Sequence, residues 1–325
     1  MALEVFMCNK IMYESIDREV RLMAVFHASE YKICHRSMMM KRTSYDAKEK
    51  RAIAKMADEN RHYTLIGDED YPEKLYDMEW PPLALYYEGD LKLLRRPSIG
   101  IVGARNCSGY GRRVTMDLAR SFARTGFVII SGGARGIDTA AHKTVLDEDG
   151  KTVCVLGCGL DISYPSENND MFSRIRQEGL LLSEYPRGFS PKKWTFPMRN
   201  RIIAALSDEI IVTEAAKKSG SLHTASYGEE LNRPVHAIPH EVYFEGGAGT
   251  NLLIEMGGHI IISKENILGD LLMKNPDVLL WRIRDLNLLD FKPTMDELEK
   301  IFSLSRIKEP CWKEILEKAL SPYFD

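Results

Sequence analysis

Three glycine-rich segments, each lying between an apolar run and a helical pattern, hold the residues best suited to chemistry. The first, 103–111, sets Arg105 among glycines just before a helix. The second, 131–138, has Gly132 and Gly133 ahead of Arg135 and Asp138. The third, 217–221, reads Lys-Lys-Ser-Gly-Ser, with Ser219 followed by Ser221 as the expected N-cap of the next helix. Backbone N–H groups at helix N-termini beside cationic side chains suit an anion. A fourth segment, 191–201, interleaves Lys192, Lys193, Arg199 and Arg201 with Trp194 and Phe196. Single nucleic-acid strands are held in this way, by cations on phosphates and rings on bases, each stack worth about 1–3 kcal/mol. The same rings also suit a core anchor with a solvated cationic rim, and the residues alone leave both readings open.

The familiar nucleotide and hydrolase fingerprints fail. The first loop is not Gly-x-Gly-x-x-Gly, and the second apolar run ends in Ser-Gly-Gly where an adenosine ribose would need an acidic residue. Gly150-Lys151-Thr152 mimics the end of a phosphate-binding P-loop, but Val145 stands at the first glycine and Asp147, Glu148 and Asp149 would repel phosphate. There is no nucleophile elbow and no His-Glu-x-x-His motif. The six cysteines form no Cys-x-x-Cys pair, so neither a metal nor any other cofactor is expected. An anion cradle without catalytic residues points to binding, not to an enzyme.

The elements that must position these loops follow from periodicity. Short apolar, β-branched runs at 98–102, 127–130, 152–156, 180–182, 209–212, 235–238 and 259–262 alternate with amphipathic segments. That is the pattern of a doubly wound α/β domain with a mostly parallel sheet covered on both faces. Val114, Leu118 and Phe122 give one helix its core stripe, and Gly126 stops it. Residues 1–62 read as a small helical module, 63–96 as an extended, turn-rich lead-in to a main domain ending near 268, and 269–325 as a short helical tail. With 325 residues the chain needs no disulfide staples, and it has no apolar run long enough to cross a membrane. A cytoplasmic protein is expected. The formal charge of −3 argues against nucleic acid, yet residues 97–201 hold 15 Lys and Arg against 10 Asp and Glu, whereas 202–262 hold 3 against 8. The positive charge is local.

The chain resembles the DprA/Smf family of bacterial DNA-processing proteins. The matching residues run in order from Tyr71-Pro72 through Gly103 to Arg105, Tyr110-Gly111, Ser131 to Asp138, Ala141-His142 and Tyr164-Pro165. They continue with Phe196-Pro197, Arg199 to Ile203, Glu214-Ala215, Ser219 to Ser221 and Thr224-Ala225. The resemblance implies an extended Rossmann-like domain that binds single-stranded DNA, forms a homodimer and helps load the RecA recombinase in natural transformation. It further implies that Arg105, Lys193 and Arg199 contact phosphates, that Phe196 stacks on a base, and that Gly132, Gly133, Ser219 and Ser221 offer donors. Asn200 and Arg201 have a competing role in pinning loops. Leu252, Leu253 and Ile254 are the expected counterparts of the dimer surface. Pro239-His240 replaces the family's Pro-Gly, so a different path is expected for that loop. The alternative is a nucleotide phosphoribohydrolase of the LOG type, whose glycine motif is echoed at 246–250. There Leu253 stands where the glutamate belongs, and Glu255 comes two residues late. A scaffold repurposed from the same family also remains open.

Overall fold

The apolar runs assemble into one nine-stranded sheet. The computed structural model describes residues 62–286 together with Lys10, Glu14, Arg18, Arg21, Leu22, Glu297, Lys300 and Phe302. The other residues of the helical module expected over 1–62 and of the tail expected over 269–325 lie outside the described residues. The strands are β1 (Tyr63–Leu65), β2 (Ala84–Gly89), β3 (Ser98–Val102), β4 (Val128–Ser131), β5 (Thr152–Leu156), β6 (Leu180–Ser183), β7 (Glu209–Val212), β8 (Val235–Ala237) and β9 (His259–Ile260). Their spatial order is β1-β2-β6-β5-β4-β3-β7-β8-β9. From β6 to β9 every pairing is parallel, while β1 and β2 add an antiparallel edge.

The helices are α1 (Gly109–Thr125), α2 (Ile137–Asp147), α3 (Asn169–Glu178), α4 (Thr195–Leu206), α5 (Ser221–Glu230), α6 (Ala248–Glu255), α7 (Lys264–Lys274) and α8 (Val278–Asp285). Successive side chains of a strand point to opposite faces, so each strand feeds two cores. Ile99, Ile101, Ile129 and Ile211 meet Leu118 and Phe122 of α1, Val145 of α2 and the apolar stripes of α7 and α8. Val102, Val128, Ile130 and Val212 face Phe172 of α3, Ile202 to Leu206 of α4 and the lead-in residues Leu75 and Tyr76. Helix α1 starts on its N-cap Ser108 and stops at Gly126, which adopts the left-handed conformation. Among the described residues no helix is long and apolar enough to cross a membrane.

The lead-in read as an extended connection is itself part of the sheet. Ala84–Gly89 pairs with β6, from Tyr86 opposite Ser183 to Gly89 opposite Leu180. The stretch after 268 is tied just as firmly. Position 268 falls inside α7, and Arg96 fixes α8 through Asp285 at 2.8 Å and by lying 5.1 Å from the Trp281 ring. Arg282 of α8 donates to the backbone carbonyls of Glu148 and Asp149 at 2.8 and 2.7 Å.

His142 joins three elements at zero exposure. The Thr152 hydroxyl donates its single proton to the Ile129 carbonyl at 2.7 Å, so it must accept from His142 Nδ1–H, also at 2.7 Å. The ring's Nδ1 therefore carries a proton. Its Nε2 has no hydrogen-bond partner among the described residues, and burial, helped by the Arg199 charge, pushes the imidazole down to about 3.

Candidate nucleic-acid interface

After β3 the chain adds β4, β5 and β6 on one side, then returns to place β7, β8 and β9 on the other. At such a switch point the loops beyond the carboxyl ends of the strands part and leave a crevice. Here the crevice is a cavity of about 720 Å³ between the loops after β3 and β7 and the start of α4. Arg105, Lys193, Phe196, Arg199, Ser219 and Ser221 all line it, so segments separated by more than a hundred residues converge. Gly132 lines a second cavity of about 480 Å³, which shares Arg105, Phe196 and Arg199 with the first. Gly133 lines neither of these two.

Four cations line the larger cavity, Arg105, Lys193, Arg199 and Lys218, against one carboxylate, Asp138. Arg105, Lys193 and Lys218 are exposed, and among the described residues they form no ion pair. Other arginines nearby are engaged: Arg135 grips Glu167 through two 2.6 Å contacts, and Arg176 holds Glu88 at 2.6 Å. The Arg105 guanidinium lies 5.3 Å from the centre of the Phe196 ring, whose neighbour is Tyr164 at 5.4 Å. A charge and an aromatic face are thus presented together.

Arg199 differs from the other three. It is 5% exposed, its Nη1 donates to the carbonyls of Gly132 and Val155, and its Nε donates to Asn200 Oδ1 at 3.1 Å. It fastens α4 to the ends of β4 and β5 beneath the cavity floor. Burial lowers its pKa, opposed by the charge of Asp138. Burial likewise raises Asp138, opposed by Arg199 and by the backbone N–H groups of Ala134 and Gly132 that face its carboxylate. Gly132 and Gly133 are also fixed by packing. A Cβ on Gly132 would lie 2.4 Å from the Arg199 guanidinium carbon. Gly133 has φ +69°, and a Cβ there would meet Cys154 and Phe172 at 2.7 Å.

Two further expectations change. Ser221 is the first helical residue of α5, and the N-cap is Gly220. The Ser221 hydroxyl pairs with that of Ser219 at 2.8 Å, and Thr224, one turn on and fully buried, lines the same cavity with an Oγ1 that has no hydrogen-bond partner among the described residues. The spacing of three along a helix could have found Thr224 from sequence. The first loop also offers no open helix end, because the buried Glu214 carboxylate already accepts from Ser108 N–H at 2.9 Å and from its hydroxyl at 2.5 Å. Arg201 is a loop pin, gripping Glu184 at 2.5 and 2.6 Å and the Trp80 carbonyl at 2.7 Å. Asn200 donates to the Gly220 carbonyl at 3.1 Å. His240 is held by Asn251 on both backbone groups and donates from Nε2 to the Thr213 carbonyl at 2.9 Å, which anchors the loop that lacks the usual glycine. Glu255, considered for a phosphoribohydrolase, is exposed at the end of α6 and lines neither cavity.

Of the expected dimer residues only Leu252 is exposed, at 36%; Leu253 is buried in the core and Ile254 half-buried. The exposed apolar side chains of this region are Leu252, Met256, Ile260, Ile262 and Met273, gathered about the edge strand β9.

Comparison with known proteins agrees with this architecture. Residues 62–272 match the family described as DNA recombination-mediator protein A. The Smf protein of Synechocystis is 42% identical over 216 residues, which are 65% of this chain and 54% of that protein. The DNA processing protein DprA of Bacillus subtilis is 38% identical over 226 residues, 69% of this chain and 76% of that one. The matched stretch thus spans about half the length of the cyanobacterial relative. The DprA structure from Streptococcus pneumoniae superposes with a TM-score of 0.65 at 32% identity, covering 81% of this chain and 96% of that one. The Helicobacter pylori DprA structure, described for its single-stranded DNA binding mode, gives 0.61 at 37% identity, covering 65% and 96%. With the switch-point cavity and the motif residues that line it, these matches place the chain in the DprA/Smf family of DNA recombination-mediator proteins.

Proposed function

We propose that this protein binds single-stranded DNA in the switch-point crevice without base preference. The observation that carries the reading is the convergence there of three unpaired cations, Arg105, Lys193 and Lys218, beside the ring of Phe196. Phosphates engage the cations, and a base stacks on Phe196 where the Arg105 guanidinium now lies, sending that side chain outward to the backbone. The Ser219 and Ser221 hydroxyls, and Thr224 with its unmet hydrogen bond, supply short-range polar contacts. The cavity lining of cations, hydroxyls and an aromatic face is that of a binding protein. The Helicobacter pylori relative, described as binding single-stranded DNA, supports the reading. In the role the family suggests, the protein shields incoming strands during natural transformation and presents them to RecA.

We further propose a homodimer that joins through the β9 edge, where Leu252, Met256, Ile260 and Ile262 leave apolar surface beside the last strand of the sheet among the described residues. Met256→Glu with Ile262→Glu should give a monomer by light scattering, and an unchanged mass would remove this face from consideration. For DNA, anisotropy of labelled oligonucleotides is the test. Tight binding of single strands, weak binding of duplex and a loss with Arg105→Ala or Lys193→Ala are expected. Equal affinity for both DNA forms would end the proposal.

A further inference from the structure

Among the described residues, five aromatic side chains of the Trp, Tyr and Phe types are strongly exposed: Trp80, Tyr110, Tyr164, Trp194 and Tyr243. All five sit at the carboxyl edge of the sheet. Tyr164 follows β5, Trp194 follows β6, Tyr243 follows β8, and Tyr110 opens α1 just after β3. Trp80 belongs there too. Because β2 runs antiparallel to β6, the chain before Ala84 projects past the carboxyl end of β6, and Arg201 ties the Trp80 carbonyl to Glu184. Turns at the opposite edge carry none among the described residues. Single exposed rings are ordinary on a protein surface, but five confined to one edge are not explained by chance exposure.

Strand order sets the rings in a line: Trp80, Trp194, Tyr164, Tyr110, Tyr243. The cavity opens in the middle of this line, between Tyr164 and Tyr110. Other rings fill the intervals. Trp194 meets Tyr185 edge-on at 5.9 Å, Tyr164 meets Phe196 at 5.4 Å, and Tyr110 meets His240 at 5.2 Å, with Phe244 5.6 Å beyond. The exposed Lys193, Arg105 and Lys218 lie along the same line. We infer that the single strand runs across the whole carboxyl edge, perpendicular to the β-strands, with the crevice as its central anchor and the exposed rings as stacking platforms on both sides. This rests on the single-strand reading above and extends it to residues outside the crevice. From β2 to β8 there are six strand spacings of about 4.8 Å, or about 29 Å. That length takes at most about nine nucleotides at the 3.4 Å per-strand rise of stacked DNA, and fewer when the strand is stretched.

The test compares oligothymidylates of about 4 and about 12 nucleotides on the full chain, by fluorescence anisotropy. The crevice alone suffices for the short strand, so Trp80→Ala and Tyr243→Ala should bind it as the unaltered protein does. For the long strand each should weaken binding about 5- to 140-fold, the equivalent of one lost stack. Trp80→Phe and Tyr243→Phe, which keep a ring, should stay within about threefold of the unaltered protein. Unchanged affinity of both alanine variants for the long strand would overturn the track, as would an equal loss with both lengths. Failure of the underlying reading shows separately, as no effect of Arg105→Ala on the short strand.

Discussion

Arg105 and Arg199 belong to the same motif set, yet the first is exposed and the second buried, and one pair of variants separates their proposed duties. Arg199→Ala removes the donor of two buried carbonyls, Gly132 and Val155, and leaves Asp138 without the guanidinium that opposes its burial. Each stranded carbonyl costs about 1–3 kcal/mol. Asp138 can take up a proton and so adds less than the full cost of an unpaired charge. A total near 4 kcal/mol follows, or a fall in Tm of roughly 8–16 °C at 2–4 °C per kcal/mol for a domain of this size. Arg199→Lys keeps the charge but loses the planar fork, and should fall between the two. Arg105→Ala removes an exposed side chain that has no ion pair among the described residues and touches only the Phe196 ring, so Tm should move by less than about 2 °C. Its affinity for single strands should drop about 10- to 100-fold, the value of a charge-assisted contact to phosphate. Circular dichroism melts and anisotropy on the same preparations give both readouts. An Arg199→Ala protein that melts with the unaltered one while losing DNA would refute the buried-fastener assignment and restore Arg199 as a phosphate ligand.

Three other outcomes follow from the geometry. With about three phosphates neutralised by Arg105, Lys193 and Lys218, a plot of log K against log salt should have a slope near −2, roughly an 18-fold loss between 50 and 200 mM; Arg105→Ala should reduce the slope to about −1.4. Ser108→Ala removes both the N-cap acceptor for Gly111 and the hydroxyl donor to Glu214, so urea melts should show a loss of about 2 kcal/mol, largely recovered in Ser108→Thr. His142 is held neutral with its pKa near 3, against 6.5 for a free imidazole, so its contribution is complete above pH 6.5 and is lost as pH falls toward 3. At pH 5 that amounts to about 2 kcal/mol relative to pH 8, and His142→Gln should flatten this part of the stability profile in urea titrations at successive pH values.

The parallel strands were legible because a strand buried on both faces must be apolar at nearly every position. The runs at 98–102, 152–156 and 209–212 coincide with β3, β5 and β7. β2 was not legible, because Ala84–Gly89 has one end in the core and the other exposed, and the prolines before it read as loop. The apolar residues Ile267, Leu268, Leu271 and Leu272 continue through 268 without a break, so nothing in the pattern marks a domain end inside α7. At the site, residue type located the loops but not the duty of each residue. An arginine open to solvent and an arginine on two buried carbonyls look alike in a sequence, and only burial tells Arg105 from Arg199.

Charge shows the same limit. The excess at 97–201 includes cations that line the crevice, but most of its arginines are already partnered. Arg120 and Arg124 share Glu148, Arg174 holds Asp147 and Glu178, Arg176 and Arg187 share Glu88, and Arg201 grips Glu184. A paired cation presents little field to a distant phosphate, since its partner cancels it beyond a few ångströms and salt screens the remainder. Meanwhile Lys218, Ser219 and Ser221 come from the acidic stretch 202–262 and fold back onto the crevice. The quantity that matters to a nucleic acid is the number of cations left unpaired at one place. That number is set by tertiary pairing, so a net charge of −3 does not by itself exclude a phosphate backbone as ligand.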